Sequence, residues 1–274
     1  MNAMTRKSAL LLLGLCAVPL AFAQAPPVEG AGAMETFPLR TLQQNAFQAG
    51  ERLDFIVHYG FMNAGEATVE LQATDRKIQG RPMLHAVGTG RSLGAFDLFY
   101  KVDDRYETWF DKKGVFPWVF QRRVSEGGYE FSQDYLYMQH RRQVSTQKER
   151  THDVPADVQD MLSAFYYART LDLRHAEPGQ VFEIQTFLDD EIWPLRMKFV
   201  GRETIKVRSG RYQCLRFQPV VQEGRIFATN DDLNVWVTDD GNLVPVLAQA
   251  KVLVGSIKME LAGYSGLVHP IAKL

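Results

Sequence analysis

The stretch Leu98-Phe-Tyr-Lys-Val-Asp-Asp-Arg-Tyr-Glu-Thr-Trp-Phe110 alternates between apolar and charged side chains. A period of two is typical of a β-strand with one buried face, so we predict one long strand here. Asp104 breaks the pattern, because its carboxylate falls on the apolar face. That face otherwise carries Leu98, Tyr100, Val102, Tyr106, Thr108 and Phe110.

A carboxylate on a buried face must be paired, hydrogen-bonded or functional, because burying it alone is costly. We interpret Asp104 as a structural polar anchor that pairs with an arginine. Arg169 is the first choice of partner, since it follows the one helical pattern of the chain, and Arg123 on the next strand is the alternative. The competing interpretation is a ligand-facing or catalytic carboxylate.

Similar alternation recurs along the chain, and the first two strands flank a turn that contains Asn63 and Gly65, which is typical of a hairpin. Helical periodicity is clear once, at Val158, Met161, Leu162, Phe165 and Ala168, with Pro155 in the predicted first turn. About a dozen strands and one main helix predict a mainly β fold. We expect a large curved antiparallel sheet, a half-barrel or open barrel, with the helix packed on or across it.

The N-terminus has the pattern of a secretory signal peptide. Arg6 and Lys7 precede an apolar run that is too short to span a bilayer, and Ala21-Phe-Ala23 matches a cleavage site. We predict cleavage after Ala23 and a periplasmic protein. The alternative, an outer-membrane lipoprotein acylated at Cys16, is disfavoured because Leu15 is too large for that processing site.

The rest of the chain is predicted to form a flexible leader over 24–49, a single β-rich domain over 50–267 and a frayed tail over 268–274. Cleavage would leave Cys214 as the one cysteine, which excludes an intramolecular disulfide. The net charge of −1 does not favour nucleic-acid binding, and no later stretch is long and apolar enough for a membrane-spanning helix.

No catalytic constellation or metal-ligand spacing is evident. Gly90-Arg-Ser-Leu-Gly94 matches a hydrolase nucleophile pattern, but its flanks are predicted antiparallel strands rather than strand, turn and helix in a parallel sheet. The histidines and the cysteine lack metal-ligand spacing, so we predict no metal and no cofactor. Asp104, His58 and Ser92 remain the candidates for an enzyme.

Aromatic side chains are the candidates for an apolar binding site. A sheet this large with one helix can leave its core unfilled, which would create an apolar cavity. The candidate ligand-binding residues are Tyr100, Tyr106, Tyr135, Phe165, Tyr166 and Trp236.

Several segments, taken together and in order, resemble an exported bacterial family of unknown function, DUF3108. They are Gly50-Glu-Arg-Leu-Asp-Phe, Asn63-Ala-Gly-Glu-Ala, Phe99-Tyr-Lys-Val-Asp-Asp-Arg-Tyr-Glu, Asp160-Met-Leu-Ser-Ala-Phe-Tyr-Tyr-Ala-Arg169, Gly210-Arg-Tyr-Gln-Cys214 and Val235-Trp-Val-Thr-Asp-Asp240. The resemblance implies no catalytic residue. The general architecture of this family is similar to that of the half-barrel lipoprotein carriers of the bacterial envelope, which is an analogy of fold alone.

Three functions are compatible with these observations. The first is a non-catalytic periplasmic module that binds a lipid, an acyl chain or a lipidated protein in the concavity of the sheet. The second is an envelope assembly protein that binds another protein through a sheet edge or groove. The third is a hydrolase, which is disfavoured because no set of catalytic residues is evident in the sequence.

The cleavage site gives a direct test. We expect Gln24 to be the N-terminal residue of the exported protein, because Ala21 and Ala23 present small side chains to the peptidase. Intact-mass spectrometry of the exported protein checks this, and an acylated Cys16 would contradict it.

Overall fold

The computed structural model describes residues 36–147, 150–220, 233–251 and 256–274, so the predicted signal peptide lies outside the described residues. Within these ranges the chain forms fourteen strands, two α-helices and a 3-10 turn at Gln139–Arg141. In chain order the elements are β1 (Arg52–Tyr59), β2 (Met62–Ile78), β3 (Arg81–Ser92), α1 (Gly94–Phe99), β4 (Asp103–Asp111), β5 (Pro117–Glu126), β6 (Tyr129–Met138), β7 (Gln143–Thr146), β8 (Thr151–Asp153), α2 (Met161–Ala168), β9 (Val181–Leu188), β10 (Glu191–Val207), β11 (Gly210–Pro219), β12 (Leu233–Thr238), β13 (Pro245–Lys251) and β14 (Ser256–Ser265).

All fourteen strands belong to one antiparallel sheet. The order is β8-β7-β6-β5-β4-β3-β2-β1-β14-β13-β12-β11-β10-β9, so only β1 and β14 pair without being consecutive in the chain. The predicted large antiparallel sheet with one main helix is confirmed. The sheet is not closed by strand pairing, and its edges are β8 and β9.

Irregularities in strand register curve the sheet. The pairing shifts between Asp54 and Phe55 on β1, between Trp109 and Phe110 on β4, and between Phe199 and Gly201 on β10. An extra residue in one strand bends it and increases its twist. Repeated shifts therefore curl the sheet toward a barrel.

The helix α2 lies in the connection between the two sheet edges. The chain leaves the sheet at β8, forms α2 and re-enters at β9. Leu162 of α2 approaches β3 so closely that a Cβ at Gly88 would lie 3.2 Å from Leu162 Cδ2. Gly88 is the cross-strand partner of Tyr106 on β4. We call the face of the sheet that α2 covers the inner face.

Asp160 fixes the start of α2 on the sheet. Its Oδ1 accepts a hydrogen bond from the Ser163 backbone N–H at 2.8 Å, and Ser163 Oγ accepts one from the Asp160 N–H at 2.9 Å. Asp160 Oδ2 accepts a third from Thr108 Oγ1 of β4 at 2.5 Å. The helix therefore begins at Met161, later than predicted: Pro155 precedes it, because the buried cap at Asp160 sets the first turn.

The two ends of the sheet differ. The β1–β2 turn, α1, the β5–β6 turn and the β9–β10 turn share one end, which we call the α1 end. The β4–β5 turn and the β12–β13 turn share the other, which we call the α2 end. Gln159, just before α2, donates from Nε2 to the Val115 carbonyl at 3.0 Å at this second end.

The described part of the predicted leader, residues 36–49, packs against the α2 end. Phe47 is buried and its ring lies 4.9 Å from Tyr166 and 6.2 Å from Phe110. Arg40 donates from Nε to the Gly114 carbonyl at 2.9 Å. This differs from the expectation of a flexible leader, because apolar side chains spaced along the segment find partners on α2 and the sheet.

The tail over 268–274 is also docked rather than frayed. The Gln213 N–H donates to the Ala272 carbonyl at 3.0 Å, and the Leu274 N–H donates to the Arg211 carbonyl at 2.8 Å. The tail thus pairs with the start of β11, where backbone groups need partners.

The opening stretch of the sequence divides into two elements. α1 ends at Phe99 and β4 begins at Asp103, so the predicted single strand over Leu98–Phe110 is wrong in its first third. Leu98 and Phe99 are exposed. The period-two pattern of Leu98, Tyr100 and Val102 therefore does not continue the strand, because the chain turns over the end of the sheet there. Among the described residues, no helix has the length and apolarity needed to span a membrane.

Arg169, at the end of α2, binds Glu51 and not Asp104. The guanidinium donates to both carboxylate oxygens of Glu51, at 2.5 and 2.7 Å, and its Nε donates to the Asn242 carbonyl at 2.8 Å. Glu51 is 1% exposed and Arg169 4% exposed. Arg123, the alternative partner, pairs with Asp134. Arg169 thus joins α2 to Glu51 at the start of β1 and to the β12–β13 turn, away from Asp104.

This pair predicts a large loss of stability when one partner is removed. Glu51→Ala leaves an uncompensated buried guanidinium and should lower the free energy of unfolding by about 3–5 kcal/mol in urea melts. Removing Arg169 as well should cost clearly less than the sum of the single changes.

Glu70→Ala is the matched control, because Glu70 pairs with Arg52 on the exposed face and should cost less than about 1 kcal/mol. The pairing is refuted by additive losses at Glu51 and Arg169, or by a loss at Glu51 as small as at Glu70.

Candidate functional site

Charged side chains gather on the inner face near the α1 end. Tyr106 of β4 and Arg122 of β5 are cross-strand partners. Asp104 lies two residues before Tyr106, and Glu126 four residues after Arg122, so alternation places all four side chains on one face. Thr108, on the same face, contacts the α2 cap, which identifies that face as the inner one.

Asp104 and Glu126 form a buried carboxyl pair. Each residue is 4% exposed, and their side chains are hydrogen-bonded to each other. Asp104 Oδ1 also accepts from the Ser125 N–H at 3.0 Å, and the Tyr100 hydroxyl donates to Glu126 Oε2 at 3.5 Å. No arginine neutralises the pair by direct contact within the described residues; Arg122 acts on it only through its nearby charge.

Burial governs the protonation of this pair. It raises the pKa of Asp104, and it raises the pKa of Glu126 to about 7, with the neighbouring Asp104 carboxylate as the second cause. Two close carboxyl groups in a dry site favour a shared proton over two negative charges. With the pKa of Glu126 raised to about 7, we expect the pair to hold one proton up to about neutral pH.

The β9–β10 turn closes the barrel beside this pair through side chains. Arg122 forms an ion pair with Asp189, and the Tyr135 hydroxyl donates to Asp190 Oδ1 at 2.7 Å. The Tyr137 hydroxyl donates to the Phe187 carbonyl at 3.3 Å. The edge of β9 thus rests on the inner face of β5 and β6, and this polar seam takes the place of a ladder of backbone hydrogen bonds.

The structure does not assemble the three enzyme candidates. His58 Nε2 lies 3.0 Å from Glu260 Oε1, and the Ser92 hydroxyl binds Asp97 and accepts from the Val102 N–H at 2.8 Å. Across the described ranges, no hydrogen bond or ion pair joins two of Asp104, His58 and Ser92. Those ranges also contain no group of three His, Cys, Asp or Glu side chains placed to hold a metal ion.

Three of the six predicted ligand-binding aromatics lie on or beside the inner face, two of them near the carboxyl pair or its neighbour Arg122 and one at the β9–β10 turn. Tyr100 contacts Glu126, Tyr106 lies beside Arg122, and Tyr135 contacts the β9–β10 turn. Burial raises the pKa of the Tyr106 and Tyr135 hydroxyls, so both stay neutral.

The other three lie elsewhere. Phe165 and Tyr166 are on α2, where Tyr166 is fully buried against Phe110 with ring centroids 5.3 Å apart. Trp236 shares a face with Leu247, which pairs with Glu260. Continued across the strands, that face is the one opposite Asp104. The Trp236 Nε1–H donates to Glu203 there at 2.7 Å.

Sequence reasoning missed Arg122, Glu126, Asp189 and Asp190. A signal existed for the first two: Phe120, Arg122, Val124 and Glu126 follow at period two, so two charged residues share an apolar strand face. It is the same signal that singled out Asp104. The aspartates of the β9–β10 turn carry no such pattern, because their position depends on how the barrel closes.

Comparisons with known proteins agree with this fold. The family model described as "Protein of unknown function (DUF3108)" matches residues 54–262, which confirms the resemblance. No curated protein matches the chain. A solved structure from Brucella abortus, described as a beta-barrel-like protein of domain of unknown function DUF1849, is similar with a TM-score of 0.51 and 9% identity over 80% of this chain and 98% of that one.

More distant likeness is found to two other solved structures. One is a DUF1089 family protein from Pseudomonas aeruginosa, with a TM-score of 0.31 and 11% identity over 77% of this chain and 95% of that one. The other, from Bacteroides fragilis, is provisionally described as an exported protein with a YmcC-like fold. It has a TM-score of 0.30 and 11% identity over 80% of this chain and 97% of that one.

The carboxyl pair predicts a pH dependence of stability. The raised pKa of Glu126 means that the folded protein keeps a proton which the unfolded chain releases near its ordinary pKa of 4.5. This contribution to stability is full below about pH 4.5 and is lost as the pH rises toward about 7. Glu126→Gln mimics the protonated form, so it should be more stable than the unmodified protein by about 1–3 kcal/mol at about pH 8, and little different at about pH 5.

Urea melts across this pH range measure the difference. Glu130→Gln, at an exposed position of β6, is the control and should follow the unmodified protein at every pH. A constant difference between Glu126→Gln and the unmodified protein would show that the pair does not hold a proton.

Proposed function

The chain belongs to the family of unknown function DUF3108, and we propose that it is a non-catalytic binding module of the bacterial envelope. Its ligand is a hydrophobic molecule, such as a lipid, an acyl chain or the acyl group of a lipidated protein. The site is the inner face of the curved sheet toward the α1 end. One observation carries the proposal: the apolar side chains of this face are not equally covered along its length.

The difference in the exposure of apolar side chains is largest on β1 and β14. Phe55 pairs with Leu261, and these residues are 2% and 0% exposed. The next pair on the same face toward the α1 end is Val57 with Met259, and both are partly exposed. Ile257, the next apolar residue on that face of β14, is again only 6% exposed, so the accessible region is local to Val57 and Met259.

The surrounding inner face carries small residues. Between Val57 and the carboxyl pair, β2 and β3 contribute Gly65, Ala67 and Gly90, whereas Leu162 of α2 already packs against Gly88. Partly exposed apolar side chains frame this region on the far strands and on the helix, at Phe131, Met161 and Phe165. A concave, mostly apolar surface with a few polar groups is the usual form of a small-molecule site.

The polar groups have a natural role in such a site. Asp104, Glu126, Tyr100 and Arg122 lie at the α1 end, beside the proposed apolar surface. They would hold the polar end of an amphiphilic ligand while its chain lies along the inner face. Of the predicted aromatics, the partly exposed Tyr100 and Phe165 fit this site, whereas the others are buried: Tyr106, Tyr135, Tyr166 and Trp236.

The location in the envelope, and specifically the periplasm, rests on the N-terminal pattern of Arg6, Lys7 and the small residues around Ala23. The alternative function, an assembly protein that binds through a sheet edge, has less support. Edge strand β8 has three residues, and edge strand β9 already contacts β5 and β6 through its turn.

Fluorescent fatty-acid titration tests the site. Val57→Trp fills the partly exposed region, so it should weaken binding at least about tenfold, a loss of about 1.4 kcal/mol. Ile56→Trp is the matched control, because Ile56 pairs with Glu260 and Glu66 on the opposite face and should bind as the unmodified protein does.

Circular dichroism and the unfolding midpoint establish that both variants are folded. If the unmodified protein binds no probe at up to about 50 µM, a dissociation constant that corresponds to about 5.9 kcal/mol, the proposal fails. Equal weakening by both tryptophans would place the ligand away from the inner face.

A further inference from the structure

Four large apolar side chains project into solvent at the α1 end. Phe61 and Met62 lie at the β1–β2 turn, and Leu98 and Phe99 end α1; their exposed fractions are 106%, 53%, 85% and 87%. We call these four residues the rim patch. Soluble proteins scatter single exposed apolar residues, but a group of them marks a surface that contacts something apolar.

The two halves of the rim patch are held next to each other. The Leu93 N–H, just before α1, donates to the Ala64 carbonyl at the start of β2 at 2.9 Å. The ring of Phe96 in α1 lies 6.4 Å from that of Tyr59, the last residue of β1. The β1–β2 turn and the connection that contains α1 therefore lie side by side at the α1 end of the sheet.

The conformation of α1 keeps its apolar residues outside. None of the residues of α1 is buried, although the helix contains Ala95, Phe96, Leu98 and Phe99. Its position is fixed by the hydrogen bond from Ser92 to Asp97 and by the Phe96–Tyr59 contact. The rim patch side chains at the end of α1 and at the β1–β2 turn thus project outward from the sheet. Projecting side chains are better suited to insertion into a lipid bilayer than to docking on a rigid protein surface.

Two exposed lysines flank the rim patch and favour an anionic partner, while the acidic residues beside it are Asp97, which accepts from the Ser92 hydroxyl, and the exposed Asp103. Lys101 follows Phe99 closely and is exposed. Lys251 is also exposed and pairs with Ser256, whose carbonyl accepts from the Gly60 N–H beside Phe61 at 2.9 Å. Within the described residues, neither ammonium group has an ion-pair partner. The nearby Arg91 adds no free charge, because it pairs with Glu66.

We infer that the rim patch docks on the surface of an anionic phospholipid bilayer. Phe61, Met62, Leu98 and Phe99 enter the boundary between head groups and acyl chains, and Lys101 and Lys251 contact the anionic head groups. Apolar side chains flanked by lysines are the combination that binds this layer. The inference stands independently of a ligand on the inner face, because it uses only the exterior of the α1 end.

Vesicle flotation of the exported protein tests the docking surface. The vesicles are phosphatidylcholine alone, or phosphatidylcholine with about a quarter phosphatidylglycerol. The unmodified protein should bind the anionic vesicles, and raised salt should weaken this binding. The double change Leu98→Ser with Phe99→Ser should reduce the bound fraction at least about tenfold, since both side chains lose their apolar contact.

The chain offers a matched control. Leu136 and Val181 are 49% and 50% exposed away from the α1 end, so Leu136→Ser with Val181→Ser should leave binding unchanged. Lys101→Glu with Lys251→Glu should abolish the preference for anionic vesicles. Equal unfolding midpoints show that the variants are folded, because all these positions are exposed.

Two results would overturn the inference. One is that the unmodified protein floats with neither kind of vesicle, or that the control pair loses as much binding as the rim patch pair. The other is a dimer in light scattering that Leu98→Ser with Phe99→Ser dissociates, in the absence of vesicle binding, which would make the patch a contact between two copies of this chain.

Discussion

The buried ion pair between Glu51 and Arg169 holds the helix, the first strand and the β12–β13 turn together at one end of the barrel. The two edge strands of the described sheet, β8 and β9, do not pair with each other, and α2 lies in the connection between them, so the position of this helix determines how far the edges approach. A bidentate pair with both partners buried has few alternative geometries. Asp160 fixes the other end of the helix on Thr108.

This anchoring divides the inner face into two parts. Toward the α2 end, α2 and residues 36–49 complete an ordinary packed core around Phe110 and Tyr166. Toward the α1 end, the same face carries small residues, partly exposed apolar side chains and a carboxyl pair in which burial raises the pKa of both groups. Burying Asp104 beside Glu126 lowers stability once both carboxyl groups are charged. The unequal division of the inner face is the basis of the proposed binding function.

Local patterns predicted much of this fold, because strand alternation and the helical period of Val158 to Ala168 depend on neighbours in sequence. The same reasoning singled out Asp104 as a buried carboxylate. It could not identify its partner, since Glu126 reaches Asp104 through strand pairing and Arg169 finds Glu51 over a separation of 118 residues. Nor could alternation show that the chain turns before Asp103, where apolar residues continue at the same period but face solvent.

The most direct test of the account is native mass spectrometry of the protein purified from the cell envelope without detergent or added lipid. If the inner face is a binding site, part of the population should carry one additional amphiphile-sized mass, which collisional activation releases. The Val57→Trp protein, prepared in the same way, should carry none. An unmodified protein that is found only at the mass of its own chain, or one whose added mass persists in the Val57→Trp protein, would contradict the account.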